Sequence, residues 1–233
     1  MKNNLFLCVI FFLFCGYGVK GEEVDHTSYS ISYSPSTRKV EWVRWQLMTS
    51  SLDFMVDRSS SFSDDPKTSV VESTKDYTNS GYDRGHLCPA GDMKYSMLSQ
   101  KECFYLSNIV PQTTKLNRGL WKVLENQIRC WASEKHYLII MAGAIYPEKT
   151  VYIGATPVPS YCWKVIFCFW GETSEGIGFL FPNTKTVSGS IQDYVVSIKY
   201  IEDLSGIKIR SFLPSNYSDV GSTISIDFWF GQK

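Results

Sequence analysis

Three apolar runs in the second half of the chain constrain the fold most. They are YLIIMAGAIY at 137–146, YCWKVIFCFW at 161–170 and GIGFLFP at 176–182. Long apolar or alternating runs of this kind suit the central strands of a sheet. EWVRWQLM at 41–48 predicts a further strand of mixed burial, and CFYLSNIVP at 103–111 reads as a strand ended by Pro111. Two stretches have a helical period instead. Within 116–134, Leu120, Trp121, Leu124, Ile128 and Trp131 recur at helical spacing, and Asn117 stands where a cap is expected. Within 192–206, Val195, Ile198, Ile201 and Leu204 do the same, with Gly206 as a stop. Residues 22–37 are polar and predict a loosely held arm with one strand near ISYS. Residues 57–80, rich in Ser, Asp and Thr, predict loop. No repeat or linker interrupts the chain. The expectation is an α+β fold with a mainly antiparallel central sheet and flanking helices.

The first residues carry a different message. Lys2 precedes an unbroken apolar run from Leu5 to Phe14. Such a run is too short for a bilayer, which needs roughly 20 residues, and suits the core of an export signal. Val19 and Gly21 offer a cleavage site, so residues 1–21 are expected to be a signal peptide and 22–233 the domain. The chain is then secreted or periplasmic, with no stable membrane span. Lipid anchoring at Cys15 is a lesser alternative, disfavoured by bulky Phe14. The full chain has 23 basic and 23 acidic residues, so any polyanion site must be a local cluster. The mature part keeps five cysteines, Cys88, Cys103, Cys130, Cys162 and Cys168. Their pairing is open, except that Cys162 and Cys168 on one strand lie ~20 Å apart and cannot bond. The sequence leaves the oligomeric state open.

GYDRGHLCPAGDM at 81–93 gathers a carboxylate, a guanidinium and an imidazole in Asp83, Arg84 and His86. Histidine can take a proton near neutral pH. Arginine favours a phosphate beside it. His26 and His136 lie far off in sequence, so no His-based metal spacing exists. Magnesium, however, keeps several waters and needs few protein ligands.

Three blocks in order, DRGHLCPAGDM at 83–93, SNIVPQ at 107–112 and LNRGLWKVLENQIR at 116–129, resemble the DNA/RNA non-specific endonuclease family. Its ββα-metal (His-Me finger) motif is two strands followed by a helix. The resemblance takes in most of the mature chain, including DRSSSFSDDP at 57–66, VPSYCWKVIF at 158–167 and VVSIKYIEDLSGIKI at 195–209. It implies a secreted endonuclease that cuts DNA and RNA with little sequence specificity and leaves 5′-phosphate ends. His86 would be the general base and Asn117 the one direct protein ligand of Mg2+, with Mn2+ or another divalent ion as alternatives. Glu125 would hold the ion's water; it lies ~80° around the helix and ~12 Å along it from Asn117. Asn108 would orient the His86 region or the substrate. Arg58, Arg84 and Arg129 would bind phosphate, and Asp83 would steady its strand. Asn117 could equally be a plain helix cap, and Glu125 and Arg129 a helix ion pair. Cys88 departs from the small apolar residue expected there. The alternatives are a non-catalytic nucleic-acid-binding protein of this fold and a phosphodiesterase for small esters.

Overall fold

The computed structural model describes residues 21–231 apart from 35, 69–72 and 172. The expected signal peptide, but for Gly21, lies outside the described residues. Eleven strands are present among them: β1 Glu22–Asp25, β2 Tyr29–Ser34, β3 Lys39–Met48, β4 Tyr82–His86, β5 Ile109–Thr113, β6 Tyr137–Ile145, β7 Val151–Ile153, β8 Thr156–Val158, β9 Tyr161–Trp170, β10 Thr173–Pro182 and β11 Val195–Val196. The helices are α1 Thr49–Leu52, α2 Met97–Glu102, α3 Thr114–Leu116, α4 Lys122–Lys135, α5 Ile198–Ser205 and α6 Ile226–Phe230, with several short 3-10 turns. The main sheet has seven strands in the order β1-β2-β3-β6-β9-β10-β11. Its strand pairs are antiparallel. The α+β expectation holds.

The sheet is covered on both faces, which explains the near-continuous apolar runs. Side chains alternate along β9. Cys162, Ile166 and Cys168 face a core shared with Trp121, Leu124, Ile128 and Trp131 of the α4 region. Trp163, Val165 and Phe167 face a second core with Ile198 and Ile201 of α5 and Phe212 beyond it. The helix in the 192–206 stretch is shorter than its periodicity predicts. Ser197 caps it, accepting from Tyr200 N, and Gly206 ends it at φ 73°.

The N-terminal segment is a correction. The polar arm is two paired strands, β1 and β2, on the edge of the main sheet. Tyr29, Ile31 and Tyr33 alternate into the core. The turn between the strands is tied down as well. Buried His26 bonds through Nε2 to Asp65 Oδ2 at 3.0 Å, and Ser107 Oγ donates to the same oxygen. Thr27 N donates to the Glu102 carboxylate at 2.8 Å. Burial works against the Asp65 charge, but the bonds from His26, Ser107 and Lys67 N outweigh it and hold the carboxyl below its usual range. The folded pKa therefore lies under the unfolded one of about 3.9. The stabilisation is present above that pH and is lost as pH falls through the folded value. Asp65→Asn is expected to cost about 2 kcal/mol at pH 7, and less as pH drops below 4. Urea unfolding of both proteins across that range checks it; a pH-independent difference would contradict it.

Pro111 supplies another correction. It lies inside β5, opposite Arg84, rather than ending a strand, and 106–108 is a 3-10 turn. β4 and β5 form a separate two-stranded sheet, where an edge position tolerates a proline.

Candidate active site

The β4–β5 hairpin and the helix after it form one unit. Their register is His86 opposite Ile109, Arg84 opposite Pro111 and Asp83 opposite Gln112. Gly85 is required by packing: a Cβ there would come within 2.3 Å of the Gln112 side chain. Thr113 caps the first helical turn, its hydroxyl accepting from Leu116 N. Asn117 is therefore not the cap, which corrects the plainer reading of that residue. It opens a π-helical stretch, Asn117–Trp121, and has helical φ and ψ of −58° and −49°.

Alternation along β4 puts Arg84 and His86 on one face and Asp83 on the other. The shared face is aromatic. The His86 ring meets Phe104 edge-on at 4.7 Å and Phe62 at 5.5 Å. The Arg84 guanidinium lies 5.1 Å over Phe62 and 5.7 Å over Tyr77, and donates to Thr74 O. Exposed Arg58 lies 5.1 Å over the same Phe104 ring. Burial, then the charges of Arg58 and Lys164, push the His86 imidazole down to about 3. The ring is thus neutral at physiological pH. Its Nε2 is buried and has no hydrogen-bond partner among the described residues. A neutral imidazole with an unengaged nitrogen can accept a proton.

The backbone around His86 is locked. Trp121 Nε1 donates to His86 O at 2.9 Å, so the helix grips the strand. Fully buried Asn108 accepts from Cys88 N at 2.9 Å and donates to Cys88 O and Cys103 O. It orients the segment after His86 through the main chain and is too deep to meet substrate. Cys88 is a free, buried thiol whose pKa burial raises. The other four cysteines of the described residues are free as well.

On the opposite face of β4, Asp83 organises the helix start. Asn117 Nδ2 donates to Asp83 Oδ2 at 3.1 Å. Arg118 donates to both carboxylate oxygens, at 2.8 and 2.9 Å, and Thr114 adds a longer bond. Burial opposes the Asp83 charge, but these bonds prevail and keep its carboxyl below the usual range. Because Asp83 takes the amide nitrogen of Asn117, the amide oxygen is the end left to act as a ligand.

Beneath the hairpin lies a buried charge cluster. Lys164 of β9 is fully buried; its Nζ donates to Leu87 O at 2.7 Å and lies 4.1 Å over Trp121 and 5.0 Å over Trp45. Burial lowers its pKa against the pull of Glu125 and Asp92. Buried Asp92 accepts from Trp45 Nε1 at 3.0 Å and from Arg129 at 2.7 Å. Arg129 also donates to Asn126, so its ion pair is with Asp92 and not with Glu125 as helix spacing alone allows. Glu125 is half-buried, and burial raises its pKa to about 7.

The structure thus gathers His86, Arg84 and Arg58 around one aromatic face of β4, and couples Asn117 to Asp83 on the other. Glu125 and Arg129 belong to the cluster below. Sequence reading misses Lys164, Asp92 and Arg118. A lysine at an inward position of an apolar strand is the signal that points to Lys164.

A profile of the DNA/RNA non-specific endonuclease family matches residues 14–216. Nuclease C1 of Cunninghamella echinulata var. echinulata is 32% identical over 212 residues, which take in 82% of this chain and 83% of that protein. The mitochondrial nuclease EXOG of Xenopus laevis is 31% identical over 212 residues, 82% of this chain but only 59% of its own length. This chain therefore spans less than two thirds of that relative. In the crystal structure of the EndoG/EndoGI complex, a chain 28% identical superposes with a TM-score of 0.71 over 84% of this chain and 91% of its own.

Proposed function

We propose, because this chain belongs to the DNA/RNA non-specific endonuclease family, that it hydrolyses internal phosphodiester bonds of DNA and RNA with little sequence preference. The observation that carries the reading is a neutral His86 flanked by Arg84 and Arg58, on the same strand pair that fixes the Asn117 amide. Little specificity follows if contacts go to phosphates, which hold no base identity.

The family is one of metal-dependent nucleases, and a divalent cation fits the residues present. Among the described residues no group of three or more His, Cys, Asp and Glu side chains could hold a metal ion. An ion here would rest on the Asn117 amide oxygen and on its own waters, with Glu125 holding a water, and Mg2+ accepts such a site. When bound it would supply positive charge to the phosphate and to the departing 3′ oxygen. The remaining chemistry belongs to the chain. The His86 imidazole, uncharged at neutral pH, takes the proton from the attacking water. Arg84 and Arg58 share the aromatic face of His86, which supports both as phosphate partners. Arg129 would meet phosphate with a guanidinium already held by Asp92. Products would carry 5′-phosphate and 3′-hydroxyl ends.

Asp83 provides the test. Asp83→Ala frees the Asn117 amide to rotate, and loss of a residue that orients a ligand costs 10–100-fold in metal affinity. We expect Mn2+ binding, followed by electron paramagnetic resonance without substrate, to weaken by about that factor. Unchanged binding in a folded Asp83→Ala protein would contradict the proposed ligand. Export of residues 22–233 after removal of 1–21 remains part of the proposal.

A further inference from the structure

An open groove of about 530 Å³ runs beside the Asn117 turn, lined by Gly81, Thr114, Lys115, Arg118, Gly119 and Lys185. Three of these six are cations, in a chain whose basic and acidic residues balance at 23 each. No carboxylate among the described residues lines the groove, and Asp83, which Arg118 grips, is also engaged by Asn117 and Thr114. Lys115 and Lys185 are exposed and make no ion pair among the described residues.

The lysines come from distant parts of the chain, and specific bonds bring them together. Asn183 Oδ1 accepts from Thr113 N at 2.8 Å, and its amide nitrogen donates to Pro111 O and Pro159 O. Thr113 Oγ1 donates to Thr184 O. These bonds pin the loop carrying Lys185 against the end of β5, just before the helical turn that carries Lys115. The groove wall is bare where it matters. A Cβ built on Gly81 or Gly119 meets no atom within 4 Å, so both positions face open space. Gly81 needs its glycine for a second reason, a φ of +82°.

We propose that Lys115, Lys185 and Arg118 form a second phosphate subsite, which receives a backbone phosphate flanking the one cleaved beside Asn117. The inference rests on the nuclease reading for its ligand, a polynucleotide backbone. A compact cationic groove in an otherwise balanced field binds phosphate through counterion release and reads no base. A small phosphate ester cannot reach both subsites, so the groove favours polymers over small esters.

The test is binding, which needs no cleavage. Fluorescein-labelled duplex DNA and single-stranded RNA are titrated in EDTA over a range of salt with wild type, with Lys115→Ala/Lys185→Ala, and with Lys149→Ala/Lys208→Ala as a charge-matched control. Arg118 is kept because it braces Asp83. The groove variant is expected to lose about 1.8 from the salt slope on duplex DNA or about 1.4 on single-stranded RNA, roughly 0.9 or 0.7 for each lysine contact, and about ten-fold in affinity on at least one polymer. The polymer affected identifies which backbone the groove serves. An unchanged slope on both polymers, or an equal loss in the control, would overturn the subsite. Failure of the nuclease reading would show separately, as wild-type protein that cuts neither polymer in Mg2+.

Discussion

His86→Ala is expected to lower plasmid cleavage by about 10²–10⁴-fold, the range that a positioned general base supplies. The loss should fall on kcat, with binding of uncleaved DNA nearly unchanged, because the imidazole carries no charge for the phosphate to meet. The neutral state has a clear origin. The ring is packed against Phe62 and Phe104, and the neighbouring cations Arg58 and Lys164 oppose a further positive charge. The backbone of the strand is held by Trp121 and Asn108 and not by the ring, so the variant should fold. Single-turnover nicking and oligonucleotide binding on the same preparation separate the two effects. A folded His86→Ala protein with wild-type rates would remove the residue from the mechanism.

Lys164→Met is expected to lower stability. It keeps most of the side-chain volume and removes the charge. Asp92 and Glu125 then lose a cation, and Leu87 O loses its donor. Lys164 makes no ion pair among the described residues, so the loss comes mainly from a buried carbonyl left without its donor, which costs about 1–3 kcal/mol. For a chain of this size the midpoint should fall by roughly 5 °C. Lys164→Met/Glu125→Gln should recover part of the loss, since it removes one stranded carboxyl as well. Thermal unfolding of the two variants and the two single changes forms the cycle. A loss under 1 kcal/mol for Lys164→Met would mean that the cluster does not depend on the lysine.

This lysine also marks where sequence reasoning stops. YCWKVIFCFW is legible as a central strand because both faces of β9 are buried. The same text hides that Lys164 points toward Leu87 and Trp121, since burial on both faces removes the polar alternation that would report direction. The N-terminal strands are missed for the opposite reason. SYSISYS is polar in composition, yet its tyrosines and Ile31 alternate with a period of two, and that period outweighs composition. Pro111 misleads because a proline usually ends a ladder, while a two-stranded edge has a place for it. The site is legible as a set of residues, since DRGH and the helix lie close in sequence. Its wiring is not. The bonds from Asp83 to Asn117 and Arg118 cross more than thirty residues and depend on a hairpin register that only folding specifies. Asn117 reads as a cap by position, but the chain turns into the helix four residues earlier, at Thr113.

The account comes down to one site in which His86 handles the proton and a cation beside Asn117 handles the charge. Digestion of supercoiled plasmid with Mg2+, and again with excess EDTA, tests it most directly. The account predicts open-circular and then linear and fragmented DNA with Mg2+, and intact supercoils with EDTA. Plasmid left uncut in Mg2+, or cut equally well in EDTA, would contradict it.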